Sequence, residues 1–540
     1  MDGILGKRRN KFDRLYNQTI NDMLVRANGA KCIGIDAVAV TVEVEIDRGI
    51  GLHLVGLADA AVKESLLRTT TALASQGYHI PGKKIVINLA PADLRKNGSG
   101  YDLPIALGII AASGQADLPL LGKYVVMGEL GLDAGLRVIP GALAFAEYAA
   151  SRGFEGIILP EESALEAVEF NDIKVYGIRN LMQAVSILSG KQDSEELLIR
   201  NTVLYNKLHR EKMRLPAKEN LIDFADIIGQ EGAKRAVEIA AAGGHNLIMV
   251  GSPGSGKSSL AKAMAGILPE MTMEESLLTS KIYSITGKSA PKCGLIRERP
   301  FRSPHYSASL AAIIGGGGSD NIIPGEVSLA TNGVLFLDEL GQMPKSVLEA
   351  LRGPVEDRCV TISRLKMKIE YPASFMLVAA SNPCPCGYWG EGDRCRCTPA
   401  QRQNYLSKLS GPIMDRIDLH VWMHPVPADK IIGAGRAEPS SAVAARVLKA
   451  RIEQKHRFAA ENIVCNAQMN NRQIEKYCLL SPSCRETLSK IMDRSGFSMR
   501  AYYRIIRVAR TIADLGGEKD IREAHIMEAS GYRFLDKSQL

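Results

Sequence analysis

The densest chemistry in the chain lies between His245 and Ser259, HNLIMVGSPGSGKSS. Leu247, Ile248, Met249 and Val250 read as a short buried strand, and Gly251, Ser252, Pro253, Gly254, Ser255, Gly256, Lys257, Ser258 and Ser259 follow at once. Glycines at 251, 254 and 256 let the backbone curl until its N–H groups converge on phosphate oxygens. Lys257 then reaches the outer phosphates, and Ser258 offers its hydroxyl to Mg2+. Together these groups match a nucleoside triphosphate such as ATP, whose metal needs an acidic partner. Val334 to Leu337 form an apolar strand whose end presents Asp338, to hold Mg2+, and Glu339, to polarise an attacking water. A further apolar run, Phe375 to Ala380, ends in Ser381-Asn382, where a neutral amide can orient water beside a terminal phosphate.

Other candidates carry open alternatives. Arg416 and Arg500 can spread the charge that builds on a transferring phosphoryl group, or can be solvated surface residues. Sequence order leaves open whether they face the nucleotide of their own chain or of a neighbour. Ile227 and Ile228, just ahead of the phosphate-loop strand, are placed beside the adenine ring or in ordinary packing. Cys384, Cys386, Cys395 and Cys397 form two Cys-x-Cys pairs around an eight-residue loop with three glycines. Four thiolates in that pattern can converge tetrahedrally on structural Zn2+; redox-active thiols, an iron–sulfur cluster and unmetallated cysteines are the alternatives. Residues 297–318, basic, aromatic and glycine-rich, read as a moving substrate-contacting loop or as a structural insertion.

The elements that must position these groups fall into blocks. At 540 residues the chain exceeds one core, and its formal charge of +8 is a modest pointer to a polyanionic partner. The amino terminus lacks a secretory apolar core and there is no run of eighteen apolar residues, which predicts a soluble cytoplasmic protein with no membrane partner. Residues 1–30 read as an extension. Period-two alternation from Val38 to Ile46, a strand at Lys84–Asn88 and a buried helix at Leu103–Ala112 open an α/β domain over 31–190. A charged linker with helical stretches follows over 191–221, then the nucleotide core over 222–428, then helices over 429–540. Within those helices Arg446, Lys449, Arg451, Lys455 and Arg457, and then Arg500, Arg504, Arg507 and Arg510, recur at helical spacing, as a phosphate-following face or a solvated one.

Taken together, VGLADAAVKESL at 55–66, INLAPADLRKNGSGYDLPIALG at 87–108, RPFRSPHYSASLAAIIGGG at 299–317, PGEVSLATNGVLFLDEL at 324–340, LSGPIMDRIDLH at 409–420 and SMRAYYRIIRVARTIADL at 498–515 resemble the magnesium-chelatase-like AAA+ ATPases, and closely the bacterial ComM/YifB group. The resemblance implies a Lon-protease-like N-terminal α/β domain, an AAA+ P-loop αβα core with a parallel sheet, and a C-terminal helical lid. It implies Walker A at Lys257 and Ser258, Walker B at Asp338 and Glu339, sensor 1 at Asn382, an arginine finger acting in trans at Arg416, and sensor 2 at Arg500. It further implies a homo-hexamer that hydrolyses ATP with Mg2+ to move single-stranded or branched DNA, promoting branch migration alongside recombination proteins in homologous recombination and natural transformation. A protein-remodelling machine and a chelatase-type motor are the rival expectations. The Lon-type nucleophile is not matched: the loop reads Asn97-Gly98-Ser99-Gly100-Tyr101, and Tyr124 to Ile173 contains no lysine, which argues against peptidase activity.

Overall fold

The computed structural model describes residues 24–190, 192–214, 222–287, 293–318, 322–364, 367–409, 413–427 and 437–536. Positions 1–23 of the expected extension, 215–221 of the expected linker and the expected boundary at 428–429 lie outside the described residues.

The alternating stretch is a strand, Asp36–Asp47, with Val40, Val42 and Val44 turned into the core. It is the third strand of a mixed seven-stranded sheet whose order is Gly51–Val55, Lys84–Ala90, Asp36–Asp47, Val25–Ile33, Tyr124–Val126, Gly156–Pro160 and Lys174–Ile178. Val25–Ile33 corrects the reading of residues 1–30 as an extension, because it pairs antiparallel with Asp36–Asp47 along its whole length. Its inward positions include Ala27, Gly29 and Ala30, too small to register as a hydrophobic period. The helical stretches after residue 191 also belong to this unit: Ile199 lies in its core, with Leu204, Tyr205 and Leu208 packed against it.

A second sheet is all parallel, in the order Phe301–Arg302, Val334–Leu337, Met376–Ser381, Leu247–Gly251 and Leu419–Met423. Its central strands read as unbroken apolar runs because both faces are covered. Leu247, Met249, Phe336 and Val378 face one core, while Ile248, Val250, Leu337 and Ala379 face another. The first of these cores is shared with the C-terminal helices Ser440–Arg457, Asn471–Tyr477, Pro482–Ser495, Met499–Leu515 and Glu523–Gly531. Met499–Leu515 starts where the Ser498 side chain accepts the Ala501 N–H, and it buries Ile505, Ile506, Val508, Ala509 and Ile512.

The basic helical face is split: Lys449, Lys455 and Arg500 are exposed, as the solvated reading has it, while most of its arginines are held by protein partners. Arg446 pairs with Glu238 and Glu438, Arg457 and Arg510 pair with Asp514, and Arg451 donates to the Ala241 carbonyl. The two sheets are also joined: the buried Lys281, on Met273–Thr286 of the second unit, pairs with Asp36 at 2.7 Å and Glu147 at 2.6 Å of the first. No described helix is long and apolar enough to cross a membrane.

Candidate functional site

Strand Leu247–Gly251 is wholly buried and runs parallel between Met376–Ser381 and Leu419–Met423. Its carboxyl end feeds the loop that opens helix Lys257–Ile267. Gly254 (φ +80°) and Gly256 (φ +90°) take up the left-handed backbone the curl needs, and a Cβ on either would meet only open space. Gly251 is the opposite case, since its Cβ would lie 2.4 Å from the Met423 carbonyl oxygen. The hydroxyls of Ser252 and Ser255 are buried without a protein partner beside this hollow. A loop with turned-out glycines and orphaned hydroxyls suits a ligand rich in acceptor oxygens.

Lys257 folds back onto the loop, donating to the carbonyls of Gly251 at 2.7 Å and Ser252 at 2.8 Å, with Asn382 Oδ1 at 3.5 Å. Burial pulls its ammonium below the ordinary lysine value, against the opposing pull of the Asp338 and Glu339 charges. The Ser258 hydroxyl donates to Asp338 Oδ2 at 2.8 Å, so the hydroxyl and carboxylate assigned to Mg2+ from sequence meet at one point. Glu339 sits at φ +52°, and its N–H donates to Asp338 Oδ1 at 2.9 Å. A left-handed backbone at a residue that carries a Cβ is uncommon, and here it falls where the strand ends and the chain turns into the next segment. Asn382 follows directly on the neighbouring strand, so four of the expected site residues converge at the carboxyl ends of three parallel strands.

Sequence reasoning missed two residues here. Gln230, itself at φ +61°, donates through Nε2 to the carbonyls of Ser255 at 3.1 Å and His424 at 2.6 Å, bracing the phosphate loop from outside. Tyr405 lies within 3.3 Å of the Ser381 hydroxyl at the root of Asn382. Neither belongs to a local motif, so the strand order had to be known first. Ile227 is buried in the core shared by sheet and helices, and Ile228 is half-buried beside it.

Arg416 and Arg500 lie elsewhere. Arg416 precedes strand Leu419–Met423, at the end of the sheet opposite the phosphate loop, and its guanidinium pairs with Glu356. Asn246 stitches that end together: its side chain donates to the Arg416 carbonyl at 2.9 Å and accepts the Leu377 N–H at 2.8 Å, while its own N–H donates to Asp418 Oδ2 at 3.0 Å. Arg504 pairs with the buried Asp418 at 2.9 Å, and Arg500, one turn earlier on the same helix, reaches Asp415 at 3.4 Å. The four residue steps of a parallel strand from Leu419 to Met423, in register with Leu247 to Gly251, span about 13 Å between this end and the phosphate loop.

The expected cysteine cluster forms. The sulfurs of Cys384, Cys386, Cys395 and Cys397 all lie within 4.8 Å of one another, a set that can hold a metal ion. The insertion divides. Arg299 pairs with Glu275, and Arg302 with Glu326, so its first half is structural, whereas Ser303, His305, Ser307 and Ser309 to Ala312 are exposed. In the first unit, Ser99 donates to the Glu129 carboxylate, and Lys96 donates to the Pro91 carbonyl.

Comparison with known proteins gives a consistent picture. Three family models match: Mg-chelatase subunit ChlI over residues 42–163, magnesium chelatase subunit ChlI over 223–431, and the ChlI C-terminal part over 437–533. The chain is 41% identical over 508 residues to the uncharacterized protein YifB of Salmonella typhimurium, covering 94% of this chain and 96% of that one. It is 42% identical over 503 residues to competence protein ComM of Haemophilus influenzae, covering 93% and 96%. A magnesium-chelatase 67 kDa subunit of Chlorobaculum parvum is 29% identical over 167 residues, only 30% of this chain and 24% of that subunit.

Proposed function

Because the chain belongs to the magnesium-chelatase-like AAA+ ATPase family that includes the YifB and ComM proteins, we propose that it is an ATP-driven motor that acts as a homo-hexameric ring on single-stranded or branched DNA, promoting branch migration in homologous recombination and natural transformation. The observation that carries this reading is the meeting of Ser258 with Asp338 at 2.8 Å beside Lys257 and Asn382, which is the arrangement a Mg2+-triphosphate requires. The competence designation of the Haemophilus relative supports DNA as the polymer.

The groups divide the work by position. Backbone N–H groups of 251–256 and the Lys257 ammonium would cradle phosphates; Ser258 and Asp338 would hold Mg2+, which would supply charge neutralisation for the transferring phosphoryl group. Glu339 takes the proton of the attacking water, and Asn382 orients that water. Ile227 and Ile228 are assigned to the adenine side. Arg416 and Arg500 sit at the sheet end remote from their own phosphate loop, which supports both acting on the nucleotide of an adjacent subunit, Arg416 as the finger and Arg500 as sensor 2. The exposed segment 303–312 is assigned to the polymer-facing surface. The first unit is assigned a Lon-protease-like fold without peptidase chemistry, because Ser99 faces a carboxylate rather than a lysine base. We assign the protein to the cytoplasm, with recombination proteins as partners.

The test is ATP hydrolysis with and without forked, four-way and single-stranded DNA, run beside junction-migration and casein-unfolding assays. Stimulation by branched or single-stranded DNA together with junction movement is expected. Hydrolysis that responds to unfolded protein and not to DNA would transfer the protein to the remodelling class.

A further inference from the structure

We propose that Cys384, Cys386, Cys395 and Cys397 hold one Zn2+ whose task is to press the turn at Gly387 against the phosphate loop and Asn382, making nucleotide binding conditional on the metal. The sulfur spacing suits a single tetrahedral ion, and four thiolates suit Zn2+. Tetrahedral Zn2+ with bonds of ~2.3 Å sets its sulfurs about 3.8 Å apart, and the separations here are 3.4 Å (Cys384–Cys386), 3.8 Å (Cys384–Cys395) and 3.7 Å (Cys386–Cys395). A multi-iron cluster would force its thiolates further apart, because the inorganic core lies between them. A disulfide would draw two of them to about 2 Å, whereas all four cysteines are free.

The position of the centre carries the second half. Gly387 lies between the two cysteine pairs, closing a tight turn with its N–H on the Cys384 carbonyl at 3.0 Å. A Cβ on Gly387 would fall 2.8 Å and 3.0 Å from the ring carbons of Pro253 and 3.8 Å from Cγ of Asn382. The turn therefore rests directly on the middle of the phosphate loop and on the amide beside Lys257. On its other flank Trp389 packs edge-on against Trp422 at 5.8 Å, on the strand next to the phosphate-loop strand, and Arg402 stacks over Trp389 at 5.5 Å. After Cys397 the chain enters helix Pro399–Leu409, which returns Tyr405 to the Ser381 hydroxyl at the root of Asn382. The segment thus leaves the Asn382 strand end and comes back to it, and the four sulfurs are the clasp that closes it. Without the ion nothing ties the four sulfurs together, the clasp opens, and the brace on Pro253 is released.

The metal half stands apart from the nucleotide assignment; the coupling half rests on it, and the measurements separate the two. Full-length protein purified in reducing buffer is expected to contain one zinc and no iron per chain, and Co2+ exchanged into it should give the absorption of a tetrahedral thiolate site. Both tryptophans of the chain lie at this clasp, so intrinsic fluorescence should change when a chelator strips the metal and return with added Zn2+. A fluorescent ATP analogue should bind about tenfold or more weakly to the stripped protein and recover on Zn2+ addition. Gly387→Ala keeps all four thiols, so it should retain zinc while losing nucleotide affinity; Cys359→Ser should change neither. Zinc content far below one per chain, or iron in its place, overturns the metal site. Stripped protein that binds the analogue as tightly as loaded protein overturns the coupling. Loaded protein that binds no nucleotide overturns the nucleotide assignment and the coupling together, and leaves the metal site standing.

Discussion

Replacing Asp418 with asparagine isolates the joint between the sheet and the helix that carries Arg500. Asp418 is 4% exposed; it accepts from Arg504 at 2.9 Å and from the Asn246 N–H at 3.0 Å, with His245 Nδ1 at 3.6 Å. Burial alone would raise its carboxyl, but the charges of Arg504, His245 and Arg507 outweigh burial and hold it well below the usual carboxylate range. Asparagine keeps the shape and one acceptor and removes the charge, leaving Arg504 uncompensated in a buried seam. Breaking a buried pair from one side costs about 3–5 kcal/mol. At roughly 2 °C per kcal/mol for a large unit, Tm should fall by about 6–10 °C. The sign of the pH dependence follows from the depressed carboxyl: its stabilisation is present above the unfolded value near ~3.9 and is lost as pH falls below it toward the folded value. Urea unfolding followed by tryptophan fluorescence at pH 7 and at about pH 3, inside that window, should therefore show a larger loss for the parent protein on acidification than for Asp418→Asn. A change below about 1 kcal/mol at pH 7, or parallel pH profiles, would refute the argument. Adding Arg504→Met to Asp418→Asn should recover part of the loss, because the stranded charge is gone.

Lys257→Ala is expected to abolish ATP binding, measured by equilibrium binding of a labelled nucleotide. Glu339→Gln should bind ATP normally and hydrolyse it at least about 100-fold more slowly in single-turnover assays; equal losses of binding in both variants would remove the assigned division of labour. Inactive Lys257→Ala chains mixed with inactive Arg416→Ala or Arg500→Ala chains should regain ATPase activity, since an intact phosphate loop then meets an intact arginine across an interface, and a failure to complement would return that arginine to its own subunit. Gly251→Ala should lower thermal stability by about 1–3 kcal/mol, because its Cβ would press on the Met423 carbonyl 2.4 Å away, a backbone atom in the adjacent strand; unchanged melting would mean that the strand pair yields freely.

What was legible from sequence was local. Residues 251–259, Asp338-Glu339 and the cysteine pairs each complete their chemistry within a few positions, and apolar runs beside them announced strands buried on both faces. That Ser258 would touch Asp338 followed from chemistry before any geometry. Gln230 and Tyr405 were silent because each contributes through strand order: one braces the loop from before the strand, the other returns to it from well beyond it. Val25–Ile33 was silent for another reason, since a strand built inward on alanine and glycine has no hydropathy rhythm. The arginine rows were audible, but their two possible readings could not be sorted residue by residue. Their spacing described a helix face correctly, but only the positions of Glu238, Asp418 and Asp514 reveal which of its arginines turn inward while Lys449, Lys455 and Arg500 stay exposed.

Asn246 touches the beginnings of three strands that end in three different instruments: the phosphate loop, the Asn382 amide and, read backwards, Arg416. In the proposed ring, that common anchor would make each subunit a rigid rocker. What its own pocket does at one end would then be felt at the other as a tilt of the arginine proposed to serve its neighbour, with one amide side chain as the pivot. Firing order around such a ring would then be a property of stiffness, and softening the pivot with Asn246→Ala should leave every pocket able to hydrolyse while the pockets lose count of one another.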